Sequence, residues 1–389
     1  MMKRPLFALF TILCLLFSGP VGAQTLTVSN PTSAQRSELV AIDAAALGIE
    51  VGKGVVVRDV SNIERPSQWT YDGKLLLDVH VRPNSQTTFN IQPDTPAAIL
   101  STVGGRQYPD RLDDIAFEND RIGFRIYGPA LQRKGEKGYG YDVWVKRTTE
   151  LILEELYRND PRLSFHLDYG KGVDCFAVGP TLGCGTPALL FDNSTISQID
   201  YPSGAGQIVK LSDGKILRFP WCYETYKILD KGPLRFTVQV DFPTTADGIT
   251  EHRILSLDKG SNFVESTVWF DGLKRPTDVL AGFPIRSAGA ETLVKGDNYI
   301  QYADPTIEPE RYQTQVYVAL LFPDQQVDID VLQQHGVGIM RHYTSGQRFH
   351  YFIGAAWSEF DVRSQDEWQC RINGFMQMKK NPLQITLNK

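Results

Sequence analysis

The chain has 389 residues, 42% of them hydrophobic, with 40 lysines and arginines set against 45 aspartates and glutamates for a formal net charge of −5. That composition supplies a large apolar core and excludes extended disorder. The basic residues are scattered rather than gathered into a phosphate-neutralising patch, so nucleic acid is not an expected partner.

At the start, Lys3 and Arg4 precede an apolar run over 6–17 and the small-residue site Val21-Gly22-Ala23. This is the layout of a secretory signal peptide (1–23), with cleavage expected after Ala23 and a periplasmic or secreted location. The run is about a dozen residues long, short of the roughly 20 that cross a bilayer, and no later segment is longer and equally apolar. No membrane span is therefore expected. Cys14 follows Ile12 and Leu13, where a lipid acceptor requires small residues.

Period-two alternation dominates 24–97, with runs such as 74–81 separated by Gly, Pro, Asn and Asp turn signals, which predicts a small N-terminal β segment. A Pro- and Gly-containing stretch, 93–109, marks a weak seam to a larger unit over 98–389. Strands are predicted there over 121–127, 141–146, 162–168, 234–242, 251–257, 262–270, 314–322 and 348–353. The turn Asp258-Lys259-Gly260-Ser261 makes a hairpin of two of them. Helical pattern is scarce, its best candidate being 148–157, which also reads as a continued strand. The fold class expected is all-β, with large stacked antiparallel sheets.

Strand parity sorts the residues able to carry chemistry. Over 121–127, Arg121 and Arg125 share one face and Ile122, Phe124 and Ile126 the other. Two guanidinium forks suit a carboxylate or sulfate, or else a salt-bridge lattice with Asp113, Asp114, Glu118 and Asp120. Over 139–147, Tyr141, Val143 and Val145 oppose Asp142, Trp144 and Lys146, so that Trp144 is expected on an outer face, stacking a sugar or simply solvated. Over 162–168, His166 and Asp168 share a face, the usual preparation of a general acid or base. His252 ranks second among the histidines and His342 third. Aromatic clusters around Trp221, Tyr223 and Tyr226, and around Tyr351, Phe352 and Trp357, fit sugar platforms and β cores alike.

Beyond the leader lie Cys175, Cys184, Cys222 and Cys370. A local Cys175–Cys184 disulfide and free buried thiols are both compatible with their spacing. No C-x-x-C, H-E-x-x-H, P-loop, nucleophile elbow or dinucleotide fingerprint is present, and the sequence assigns no metal ligands and names no cofactor.

The runs YPDRLDDIAFENDRIGFRIYGPAL, GYGYDVWVKR, HLDYGKGVDCFAVGPTLGCGT, ILDKGPLRFTV, SLDKGSN, GAAWS and KNPLQIT, taken together, resemble the exported bacterial domain-of-unknown-function family 4861 from about Leu26 to Thr386. The resemblance implies a galactose-mutarotase-like β-supersandwich in bacteria that degrade plant and algal polysaccharides. It supplies no reaction.

The leading expectation is an enzyme that cleaves uronate-containing oligosaccharides or polysaccharides. In β-elimination, Arg121, Arg125 or Lys146 would neutralise the carboxylate, His166 would be the base, and Tyr141 or Tyr223 the acid. Hydrolysis would need two carboxylates from among Asp142, Glu118, Asp174 and Glu224. His252 is the alternative base, and Trp144, Asp168, Tyr223 and Trp357 complete the binding set. The competing expectations are a sugar mutarotase or epimerase and a non-catalytic carbohydrate-binding protein.

Overall fold

In the computed structural model, the residues described are 23–136, 138, 140–160, 162–179, 181–190, 199–200, 207–210, 216–219, 222–332 and 334–388. The expected leader, apart from Ala23, and Trp221 lie outside them.

Alternating side chains build two layers at the N-terminus. One sheet orders Gln384–Asn388, Gln24–Asn30, Ser85–Pro93, Val55–Asp59 and Glu64–Arg65, and a second orders Arg36–Asp43, Lys74–Val81 and Ser67–Trp69. Leu26, Val28, Val57, Leu77, Phe89 and Ile91 fill the space between them. The strand at the far end of the chain thus closes the small N-terminal sandwich. Gln68 ties this sandwich to the main body: its Oε1 accepts from Leu234 N (2.9 Å) and Arg235 N (2.8 Å) and its Nε2 donates to Arg235 O (2.9 Å).

The main body is a β-supersandwich of antiparallel sheets. Its large sheet has eight strands in the order Thr225–Lys231, Arg235–Asp241, Thr250–Asp258, Phe263–Asp271, Phe349–Trp357, Val316–Leu321, Tyr299–Asp304 and Val294–Lys295. The facing layer combines two sheets. One has five strands: Gly172–Val173, Asp142–Lys146, Ile122–Ile126, Asp114–Asn119 and Val103–Tyr108. The other has four: Thr186–Leu190, Thr277–Pro284, His335–Tyr343 and Asp328–Leu332. A bridge between Tyr141 and Gly183 joins these two. Glycine is required there, because a Cβ on Gly183, at φ +55°, would lie 2.3 Å from Tyr141 O. Ile122, Phe124, Ile126, Val143 and Val145 from one layer meet Val238, Leu255, Val268, Val318 and Ile353 from the other. Burying such side chains contributes roughly 1.5–3 kcal/mol each.

Both outer faces carry helices. Gln365–Lys380, whose first turn is capped by Ser364 Oγ accepting from Glu367 N, lays Trp368, Ile372 and Met376 on the large sheet. Leu153–Asn159 covers the five-stranded sheet with Leu153, Leu156 and Tyr157. Its start is fixed by Glu118, whose Oε1 accepts from Ile152 N and Leu153 N at 2.7 Å each.

Two expectations are corrected here. Segment 162–168 is not a strand: it turns back after the helix, with Leu163 N donating to Asn159 O (2.8 Å) and Leu167 N to Ser164 O (2.9 Å). Its alternation is accidental, with Leu163 exposed at 44% and Phe165 buried under the helix. Trp144, expected on an outer face open to a sugar, is fully buried, because the helix and this turn cover the face on which parity put it. Cys175, Cys184 and Cys222 are buried free thiols, and Cys370 is free and exposed.

Candidate functional site

Antiparallel register sets Arg125 directly opposite Asp142 on neighbouring strands of the five-stranded sheet. Arg125 Nη2 donates to Asp142 Oδ2, to Asp174 Oδ2 at 3.0 Å and to the Tyr127 hydroxyl at 3.0 Å, while that hydroxyl donates to Asp142 Oδ2 at 3.1 Å. Sharing one nitrogen brings the two carboxylates within about 6 Å of each other. Arg125, Asp142 and Asp174 are each at most 5% exposed. Burial and the neighbouring Asp142 push the Asp174 carboxyl well above the usual carboxylate range, against the pull of Arg125.

The turn 162–168 lays His166 against this cluster. Its Nδ1 lies 3.0 Å from Asp174 O and 3.7 Å from Asp174 Oδ2, and its side chain is 47% exposed. A carbonyl oxygen only accepts, so Nδ1 carries the proton, and in the neutral ring the lone pair is on Nε2. The Phe165 ring touches two partly exposed groups: the His166 ring, tilted against it, lies 4.7 Å away and the Arg111 guanidinium 5.0 Å, Arg111 Nε standing 3.8 Å from Asp160 Oδ2. The site therefore offers a half-exposed imidazole oriented by a buried carboxylate network, with a partly exposed cation against the same Phe165 ring. Burial raises the Tyr127 hydroxyl well above its ordinary value, keeping it a proton-bearing phenol.

Asp114 lies on the same face of the sheet and accepts from Gly128 N at 3.2 Å. Burial lifts its carboxyl to about 6, against Arg125 and Arg111. A carboxyl whose folded value exceeds its unfolded value stabilises fully below the unfolded value and loses that contribution as pH rises through the folded one. We expect the wild type to lose on the order of 2–3 kcal/mol from this group between about pH 4 and 6. Asp114→Asn keeps the acceptor and removes the titration, so urea unfolding at pH 4 and pH 7 should show the variant gaining relative to wild type at the higher pH. An equal difference at both pH values would contradict this.

Of the residues singled out from sequence, Arg125, Asp142, His166 and Asp174 meet in one place. Others are engaged elsewhere. Lys146, expected to meet a uronate, is buried with Nζ 2.6 Å from Glu118 Oε2 and donating to Asn119 O at 2.5 Å. Burial lowers its ammonium value, opposed by Glu118, so it serves as an internal ion pair. Arg121 precedes its strand and pairs with Asp361, away from Arg125. Asp168 is engaged by Arg147, its Oδ2 accepting from Arg147 Nε at 2.7 Å. Arg147 also lies 4.5 Å over the ring of Trp357, which is buried and donates to Thr314 Oγ1 at 3.1 Å, so Trp357 is no open platform. Tyr141 faces the inner core beneath Arg253, and Tyr223, also buried, donates to Asp113 O at 2.5 Å. Neither phenol reaches an open site.

His252 sits on the large sheet with Nδ1 2.5 Å from Asp241 Oδ1 and Nε2 3.3 Å from Asp271 Oδ2, stacked on Trp269. A ring whose nitrogens both face carboxylates presents no lone pair to a substrate. Tyr127 and Arg111 were not assigned roles from sequence. Parity carries the signal for Tyr127, since 125 and 127 share a face.

A family model described as "Domain of unknown function (DUF4861)" matches residues 28–385. A Formosa agariphila protein called "Uncharacterized protein P7" is 25% identical over 339 residues, 80% of this chain and 78% of its own. Among solved structures, the chain is similar to a protein in the glycosyl hydrolase family 38 from Enterococcus faecalis, with TM-score 0.50, 8% identity and coverage of 94% of this chain and 47% of that one. An alpha-mannosidase from Enterococcus faecalis V583 gives TM-score 0.50, 8% identity and coverage of 94% and 46%. This chain spans less than half the length of those two structures, and at that identity the likeness concerns the fold.

Proposed function

The chain belongs to the DUF4861 family, and from that premise we propose that it is an exported carbohydrate-active enzyme cleaving uronate-containing oligosaccharides by β-elimination. The observation that carries the reading is His166, half-exposed and held through Nδ1 by Asp174 within a buried network, so that Nε2 is the basic atom. In the step proposed, Nε2 takes the C5 proton of a uronate residue. The electron pair of that C–H bond becomes the C4–C5 double bond, the C4–O bond breaks, and the leaving oxygen takes a proton from water. Arg111 is the group for the uronate carboxylate, whose charge must be neutralised for C5 to lose a proton.

Hydrolysis by Asp142 and Asp174 fits the geometry less well. Arg125 holds both carboxylates on one nitrogen and burial closes them to a sugar ring, so they cannot stand across a glycosidic bond. The sugar class follows from the family resemblance and from the cation beside His166. The fold shared with glycosyl hydrolase structures supports a carbohydrate ligand as such. The test is incubation with pectic and algal uronate oligosaccharides while ultraviolet absorbance is followed. An absorbing unsaturated uronate is the result expected, and new reducing ends without that absorbance would replace elimination by hydrolysis.

A further inference from the structure

A cavity of about 790 Å³, bordered by Ala177 and Val178 of the segment that follows Asp174, is within the size range of small-ligand sites. Val178, Ile285, Leu293 and Val331 give it apolar walls, Thr181 contributes a hydroxyl, and Arg286 is the permanently charged residue in its lining. Arg286 Nη1 donates to Asp304 Oδ1 at 2.7 Å and Nη2 to Ala177 O at 2.6 Å. Asp304 is fully buried and further held by the Tyr302 hydroxyl and by Thr306 N at 2.9 Å. A ligand entering the cavity therefore meets the guanidinium and not its counter-ion. Two of the five N–H groups are used in these bonds and a quarter of the side chain is exposed, so donors remain in a fixed fork.

The same backbone serves both places. Asp174 O faces His166 and Ala177 O accepts from Arg286, three residues on, which is at most about 10 Å of extended chain. We infer that this cavity is a second carboxylate-binding subsite, so that the protein takes an oligosaccharide with uronates at more than one position. The inference rests on the uronate reading above for the identity of its ligand, and on the Arg286 geometry for the site.

Calorimetry on the full chain with D-galacturonate and with galactose tests it, since neither monosaccharide has a glycosidic bond to cleave. Galacturonate should bind at least about tenfold more tightly than galactose, the difference expected of a charge-assisted contact. The wild type should take up two galacturonates, one at Arg286 and one at Arg111, and Ala290→Trp, at an exposed position of the cavity lining, should leave only the second, with an unchanged far-UV spectrum. Arg286→Lys, which keeps the charge beside Asp304 and loses the fork, should weaken galacturonate by about threefold or more. Arg111→Gln should remove only the other of the two sites, the one beside His166. Equal binding of the two sugars, no binding, or galacturonate uptake that Ala290→Trp and Arg286→Lys leave unchanged would overturn the subsite. Failure of the cleavage assay leaves this binding result intact, and cleavage that persists with a single galacturonate site in the wild type removes the subsite alone.

Discussion

His166→Ala is expected to lower turnover of a uronate oligosaccharide by about 10²- to 10⁴-fold while leaving the unfolding midpoint unchanged. The side chain is half-exposed and the core does not rest on it, so its loss falls on chemistry. Substitutions of the other histidine and acid singled out from sequence act as controls. His252→Ala removes a ring already committed to Asp241 and Asp271, and Asp168→Asn loosens Arg147, so neither should alter turnover by more than a few-fold. Initial rates on one substrate check all three. A His166 variant as active as wild type would move the base elsewhere and end the proposed mechanism.

Arg125→Met is the substitution expected to cost most in stability, about 3–5 kcal/mol, because it leaves the buried Asp142 carboxylate with no counter-ion and removes the cation that opposes protonation of Asp174. The loss belongs to the network and not to one contact. Arg125→Met combined with Asp142→Asn and Asp174→Asn should therefore recover much of it, a coupling that additive effects would not give. Urea unfolding of the single and triple variants decides. Equal stability of the two would mean that the charges are not coupled, and turnover lost in the refolded triple variant would mark the network as the positioning element for His166.

Much of this fold is legible in the sequence, because period two survives wherever one face of a strand is buried. Ile122, Phe124 and Ile126 face the inner core as alternation predicts, and the turn at 258–261 joins two paired strands. Resemblance, not periodicity, supplies the supersandwich, since alternation identifies strands without saying how their sheets stack. The site was harder to read. Parity correctly set Arg125, Asp142 and Trp144 on faces opposite the core, yet it carries no information on what covers a face, and the helix Leu153–Asn159 turned an expected sugar platform into a second core. Apparent alternation at 162–168 had a different origin, in a turn too short for period two to discriminate, and it paired His166 with Asp168 without showing that Asp174 lies against its Nδ1. Arg286 escaped because its surroundings come from strands and loops far apart in sequence.

Elimination is tested most directly by mass spectrometry of the fragments released by the wild-type protein from a defined oligogalacturonate. The account predicts that each cleavage yields one fragment lighter by a water than its hydrolytic counterpart, carrying the unsaturated end. Fragments that have all taken up water, or an oligosaccharide left at its original length, would contradict it.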